Sequence, residues 1–119
     1  MGKRDAAREP NDKLHVKAKA KQASKLSEIR AALVAAGFET VDEQASALGV
    51  GRATAWALLN RDTRAGPSSI IIKRILSSPS LPSAVRKKVN EYIKEKIVGL
   101  YGHTEARRRW FADQFEQNS

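Results

Sequence analysis

The spacing of apolar residues is the feature that most limits the fold of this 119-residue chain. Leu26, Ile29 and Leu33 recur at intervals of three and four, which places them on one face of a helix. A second helical stripe runs through Val85, Val89, Tyr92, Ile93 and Ile97. Because no segment alternates apolar and polar residues as a strand does, the sequence predicts an all-α fold.

Capping residues and helix breakers divide the chain into predicted helices. Gly37 is suited to end the first helix, and Thr40 with Glu43 forms a capping box that starts the second. Ser83 is predicted to cap the fifth helix. The predicted helices cover about residues 24–36, 41–48, 52–60, 69–76 and 84–98, and a last helix begins at Thr104.

Three parts follow from these boundaries. Residues 1–23 form a basic N-terminal arm, partly helical or disordered, in which residues 1–12 are expected to be mobile. Residues 24–98 form the main helical domain, and residues 99–119 a C-terminal aromatic helix that packs on it or joins a second copy. The basic stretch of this arm either lies along a polyanion or only keeps the protein in solution, and its lysines are Lys13, Lys17, Lys19, Lys21 and Lys25.

The charge of the chain favours a polyanionic partner. The 22 Lys and Arg residues against 13 Asp and Glu give a net charge of +9. Phosphates attract such a surface because each neutralised phosphate releases a condensed counterion. The alternative is that these charges only keep the protein in solution. The longest apolar run, residues 31–36, is far too short to span a membrane, so we expect a cytoplasmic protein that does not bind membranes.

Several classes of site are not expected. The chain has no cysteine, which excludes disulfides, thiolate zinc sites and cysteine nucleophiles. His15 and His103 lie far apart in the sequence, so a metal site is not predicted. No glycine-rich phosphate loop or convincing pair of catalytic carboxylates is visible. We therefore expect neither an enzyme nor a cofactor, and no small-molecule ligand is evident.

The segment 44–60 is the most informative part of the sequence. Two helices that cross closely need a small residue at Ala45 and a positive φ at Gly49, four residues later. Apolar residues would hold the two helices together. The positions predicted to build this helix-turn-helix are Ala45, Leu48, Gly49, Val50, Ala55 and Leu58.

The stretch from Gly49 to Asn60 resembles the turn and recognition helix of phage lambda repressor and its relatives. The likeness extends to residues 71–76 and 81–92, which resemble that family's fourth helix and the start of its fifth, dimer-forming helix. The resemblance covers about residues 24–98. It implies a five-helix DNA-binding domain of a bacterial or phage-encoded regulator, here with the basic arm and an additional C-terminal helix.

The resemblance also implies roles for individual residues. Arg52 and Ala53 would read base edges at the start of the recognition helix, and Ala57 could touch a thymine methyl. Trp56 either packs on a neighbouring helix or lies against the sugar-phosphate wall. The candidates for contact with the DNA backbone are Gln44, Thr54, Trp56, Asn60, Arg61 and Arg64.

The partners implied are double-stranded DNA and a second copy of the chain. The apolar stripe of the fifth helix is expected to belong to the core and could equally form a dimer contact. The candidates for a homodimer contact are Val89, Tyr92, Ile93, Ile97, Trp110, Phe111 and Phe115. Two other functions remain open from the sequence. One is a nucleoid-type or RNA-binding protein without sequence preference, and the other is an antitoxin-type module whose C-terminal aromatics bind another protein.

Overall fold

A computed structural model describes the backbone of residues 2–60 and 66–116 and the side chains of residues 16–60 and 66–116. Within these ranges the protein is all-helical and has no strand, which confirms the prediction of an all-α fold. The helices are α1 (Gly2–Ala35), α2 (Val41–Leu48), α3 (Arg52–Asn60), α4 (Ser69–Leu76), α5 (Ser83–Ile97) and α6 (Glu105–Glu116).

Helix α1 is longer than the sequence predicts. Its backbone is helical from Gly2 onward, and the expected mobility of residues 1–12 stays a prediction. The stretch between 12 and 25 is rich in Ala, Lys and Gln, which favour helix and allow α1 to extend toward the N-terminus. Only the second half of α1 carries the apolar stripe, with Leu26, Ile29 and Leu33 all buried.

Helices α1 and α5 pack against each other and form the centre of the core. Leu33 on α1 and Val85 on α5 are completely buried, and the hydroxyl of Tyr92 donates a hydrogen bond of 2.9 Å to Gln22 Oε1. The ring of Tyr92 stacks on Tyr101 with centroids 5.2 Å apart. Burial raises the pKa of the Tyr92 hydroxyl well above its usual range, so it stays protonated and donates to Gln22.

An ion cluster joins the same two helices. The Lys25 ammonium lies 2.9 Å from Glu91 Oε1, 3.4 Å from Glu95 Oε2 and 3.5 Å from Glu28 Oε1. Burial opposes the charge on Lys25, but the hydrogen bond to Glu91 and the nearby carboxylates outweigh it and raise its pKa. The assignment of Lys25 to a polyanion-binding arm is therefore wrong, because its charge is used inside the fold.

The helix ends follow the predicted capping pattern with one exception. Thr40 Oγ1 accepts from the Glu43 amide at 3.1 Å while Glu43 Oε1 accepts from the Thr40 amide at 3.0 Å, which confirms the capping box. Ser68 caps α4 through the Ile71 amide. Helix α5 instead begins at Ser83 itself, with Pro82 at the cap position and no side-chain cap bond, so Ser83 is not the cap.

None of the helices in the described part of the chain is both long and apolar enough to cross a membrane.

Candidate nucleic-acid interface

A glycine-centred turn joins α2 to α3. Gly49 has φ 70°, a left-handed conformation that a residue with a side chain adopts only at a cost. Its amide donates to the Ser46 carbonyl at 3.2 Å, and the Val50 amide donates to the Ala45 carbonyl at 3.1 Å. This pair of hydrogen bonds is a Schellman motif, which satisfies the last carbonyls of α2 and turns the chain into α3.

The end of α4 packs directly on this turn. A Cβ at Gly49 would lie 3.0 Å from Ser78 Cβ and 3.2 Å from its Oγ. The Ser78 hydroxyl, buried just after α4, donates a 2.7 Å hydrogen bond to the Ala47 carbonyl at the end of α2. Gly49 is therefore needed both for its positive φ and for this close approach.

The inner sides of α2 and α3 are fixed in the core. The buried residues on these sides include Ala45, Leu48, Ala55 and Leu58, while Val50 in the turn is half-buried. The small side chain of Ala45 suits the close packing of α2 on α3. Because the core holds the inner side of α3, the opposite side of the helix is fixed toward solvent.

The outer side of α3 is uncovered in the part of the chain that the structure describes. The side chain of Arg52, at the start of the helix, is 73% exposed, and Ala53 beside it is exposed. Trp56 is 50% exposed. Asn60, also exposed, donates through Nδ2 to the Trp56 carbonyl at 3.3 Å, so its amide binds the backbone of its own helix.

Among the described residues, Arg52 has one ionic contact. Its Nε lies 3.3 Å from Asp42 Oδ1, and the Asp42 side chain is 75% exposed. An ion pair this open to solvent contributes little free energy and is easily exchanged. The Arg52 guanidinium can therefore turn to another anionic or hydrogen-bond-accepting group at small cost.

A shallow groove of about 410 Å³ runs between α3 and the start of α4. Ala53, Thr54 and Ala57 form its α3 side. Pro67 and Ile71 form part of the other side. The small side chains on α3 leave its backbone accessible along this groove.

Gln44 does not belong to this surface. Its side chain is 3% exposed, and its amide Nε2 donates to the carbonyls of Phe38 and Glu39 at 3.0 and 3.4 Å. The predicted contact of Gln44 with a DNA phosphate is therefore wrong. Its hydrogen bonds instead hold the loop between α1 and α2 against the first turns of α2.

The lysines and arginines predicted to bind DNA or another polyanion differ in how exposed their side chains are. Lys17 and Lys21 are exposed on α1, and Lys19 is half-buried. Arg61, Arg64 and the side chain of Lys13 lie outside the described residues. Of the basic candidates in the described range, Lys17, Lys21 and Arg52 thus have the most accessible side chains.

Most of the candidate dimer residues are used within one chain. Val89, Tyr92 and Phe111 are at most 3% exposed, so they cannot contact a second copy while the protein is folded. The prediction that these three residues form a dimer contact is therefore wrong. Ile93, Ile97 and Phe115 are half-buried. Trp110 is 57% exposed and is the strongest remaining candidate.

Sequence reasoning missed several buried polar residues. Gln22 and Lys96 are buried, and Arg108 Nη1 donates to the Ile97 carbonyl at 3.3 Å. Tyr101, fully buried, donates to Glu95 Oε1 at 2.6 Å. Of these residues, only Tyr101 has a sequence feature that indicates burial. It is an aromatic residue between Gly99 and Gly102, and a tyrosine in such a loop needs a packing partner.

Comparisons of the chain with protein-family models, with curated proteins and with solved structures gave no significant match. Among the side chains of residues 16–60 and 66–116, no group of three His, Asp or Glu residues is placed to hold a metal ion.

Proposed function

We propose that the protein is a sequence-specific regulator that binds double-stranded DNA and inserts α3 into the major groove. The observation that carries this proposal is the two-sided character of α3. Ala55 and Leu58 fix its inner side in the core, while Arg52 and Trp56 on its outer side stand open to solvent. We also propose that residues 24–98 have the five-helix fold of the phage lambda repressor family, which their sequence resembles.

The dimensions of α3 suit this role. Its nine residues span about 13.5 Å at 1.5 Å per residue. An α-helix is about 10–12 Å in diameter with its side chains, and a major groove about 12 Å wide admits it. Ala53 and Ala57 have short side chains, so the helix backbone can approach the bases closely. Their methyl groups are suited to contact thymine methyls. The planar guanidinium of Arg52 is suited to donate two hydrogen bonds to guanine, one to O6 and one to N7.

The start of α3 is also suited to a phosphate. Gly51 precedes it and has no side chain to cap the first amides, while its carbonyl accepts from the Ala55 amide at 2.9 Å. Uncapped amides at a helix start attract anions. Together with the net charge of +9, this favours a duplex whose phosphates lie beside α3.

We further propose that the regulator acts as a homodimer on two half-sites about one helical turn apart. The exposed Trp110 supports this, because a large aromatic at 57% exposure gains free energy when a second surface covers it. The substitution Trp110→Ala should shift the monomer–dimer equilibrium toward monomer in sedimentation experiments, while leaving the single-chain helical signal unchanged.

Selection of bound duplexes from a random pool tests the proposed function. The expected result is an enriched motif with two-fold symmetry. Binding of that motif should survive an excess of random duplex and of single-stranded RNA. Enrichment of no motif, with equal competition by random duplex, would instead establish a nonspecific basic nucleic-acid-binding protein.

A further inference from the structure

A second cavity, of about 400 Å³, lies away from the outer side of α3. It is open to solvent and is bordered by the start of α4, the end of α5 and the first turns of α6. Its lining is mostly apolar, and a cavity of this size holds a small organic molecule. The residues that matter for its chemistry are Ser69, Lys96, Ala106, Arg107, Trp110 and Phe111.

The charged groups that line this cavity are cations. Lys96 from α5 and Arg107 from α6 lie on its wall, and no Asp or Glu of the described residues lines it. The Lys96 side chain is held in place: its ammonium lies 4.5 Å from the centre of the Phe111 ring and 3.5 Å from the Pro67 carbonyl. The described lining of the cavity is therefore suited to an anion.

The environment of Lys96 disfavours its own charge. Burial, together with the positive charges of Lys19 and Arg107, lowers the pKa of Lys96 to about 8. A ligand carboxylate next to this ammonium would offset the cost of burying the charge. The free energy of that contact is larger here than at an exposed lysine, because Lys96 is 7% exposed.

Ser69 provides an independent indication of a ligand. Its side chain is 1% exposed, it lines the cavity, and its Oγ has no hydrogen-bond partner among the described residues. A buried hydroxyl without a partner is unfavourable, and a ligand that accepts its hydrogen bond removes this cost. Ser69 is also the first residue of α4, where backbone amides favour negative charge.

The apolar walls limit the rest of the ligand. The Phe111 ring is 3% exposed and is covered by the Lys96 ammonium and by Phe115, whereas Trp110 is 57% exposed. Ala106 on α6 also lines the cavity and has a small side chain. A flat aromatic body fits against such an apolar wall better than a flexible polar one, because rings stack at low cost in conformational entropy.

We propose that this cavity binds a small aromatic carboxylate, with the carboxylate beside Lys96 and the Ser69 hydroxyl and the ring against the exposed side of Trp110. The sequence gives little sign of such a site, because its residues come from three separate segments. The proposal stands independently of DNA binding, and its test requires no DNA.

Titration of the ¹⁵N-labelled full chain with benzoate and with indole-3-acetate, followed by amide NMR shifts, tests the site. The expected result is saturable shifts concentrated in residues 66–69, 96 and 103–111. Benzamide, which has the ring without the charge, and inorganic phosphate, which has the charge without the ring, should each bind at least tenfold more weakly.

Matched variants separate this site from the general basic surface. Lys96→Met should weaken binding of the carboxylate about tenfold and leave benzamide binding unchanged. Lys94→Met removes an exposed lysine from the same helix and should change neither. Ala106→Trp keeps Lys96 and should block the cavity, which provides a second test if Lys96→Met does not fold.

Three results would overturn the proposal. They are the absence of saturable shifts with either carboxylate, shifts scattered over the lysine-rich surface of α1, and equal weakening by Lys94→Met and Lys96→Met. In a chain whose Ala106→Trp variant is folded, undiminished binding would likewise place the ligand elsewhere.

Discussion

The helix pair α1–α5 and the unit α2–α3 are built in opposite ways. The α1–α5 contact contains completely buried side chains, a buried tyrosine–glutamine hydrogen bond and a cluster of ion pairs around Lys25. The α2–α3 unit consists of two helices of eight and nine residues joined through Gly49. The charged contact between them, Arg52 with Asp42, is exposed.

The α1–α5 pair therefore stabilises the fold, whereas the α2–α3 unit holds the outer side of α3 toward solvent. Short helices are marginal by themselves, so α3 takes its position from the core beneath it and from Ser78 beside the turn. Its outer residues make few contacts within the chain and can change without loss of the fold. Substitutions in the two regions should therefore have very different effects.

The largest effect is expected from the α1–α5 pair. Leu33→Ala removes a fully buried side chain and should lower the free energy of unfolding by about 2–5 kcal/mol. Val34→Ala, at the next position and 42% exposed, is the control and should change it by less than about 0.5 kcal/mol. Urea denaturation measures both. Equal effects would mean that α1 does not pack as described.

The turn between α2 and α3 should be the next most sensitive place. Gly49→Ala combines an unfavourable positive φ with a close approach to Ser78 and should destabilise the protein by about 1–2 kcal/mol. Gly51→Ala is the control, because nothing lies within 4 Å of the added Cβ and φ is not in the left-handed region. Thermal unfolding should show a lower Tm for the first variant only.

Lys96 should give the protein a stability that rises with pH. Its folded-state pKa of about 8 lies below the ordinary 10.5, so between these values the unfolded chain holds a proton that the folded chain has lost. Raising the pH from 8 to 9.5 should therefore increase the free energy of unfolding by about 1 kcal/mol, less than the full shift implies because solvent partly screens the charge.

The variant Lys96→Met should lose this rise, and Lys94→Met should keep it. The measurement stays below pH 10, because burial also raises the pKa of Tyr92 and Tyr101. Those hydroxyls ionise more readily in the unfolded chain, so the folded state loses stability above pH 10. A flat profile between pH 8 and 9.5 would contradict the described burial of Lys96.

The smallest effect on stability is expected at Arg52. The exposed pair with Asp42 contributes little, so Arg52→Ala should change the free energy of unfolding by less than about 0.5 kcal/mol. Chemical denaturation of the variant beside the unchanged protein measures this. A loss comparable to that of Gly49→Ala would show that Arg52 supports the fold rather than a partner.

Local patterns in the sequence predict much of the helical framework. The capping box at Thr40 and Glu43, the breaks at Gly37 and Gly49, and the cap at Ser68 depend on neighbouring residues only. The apolar stripe of α5 likewise identifies Val85 and Val89 as buried. These features follow from the preferences of short segments, so no tertiary information is needed for them.

Contacts between distant segments could not be predicted in this way. Gln22 meets Tyr92 across 70 residues, and Lys25 meets Glu91 across 66. Both α1 residues lie in a stretch whose composition alone suggests a solvated basic surface. Gln44 was assigned from a resemblance, and only the fold shows that its amide is bound to the loop before α2.

The central claim, that the outer side of α3 reads DNA, is tested most directly by the ratio of affinities for selected and random duplex. Arg52→Ala should weaken binding of the selected duplex by about 1–3 kcal/mol and reduce the ratio. Arg109→Ala, an exposed arginine on α6, is the control and should leave the ratio unchanged. An equal loss on both duplexes with Arg52→Ala, and hence a constant ratio, would contradict the claim.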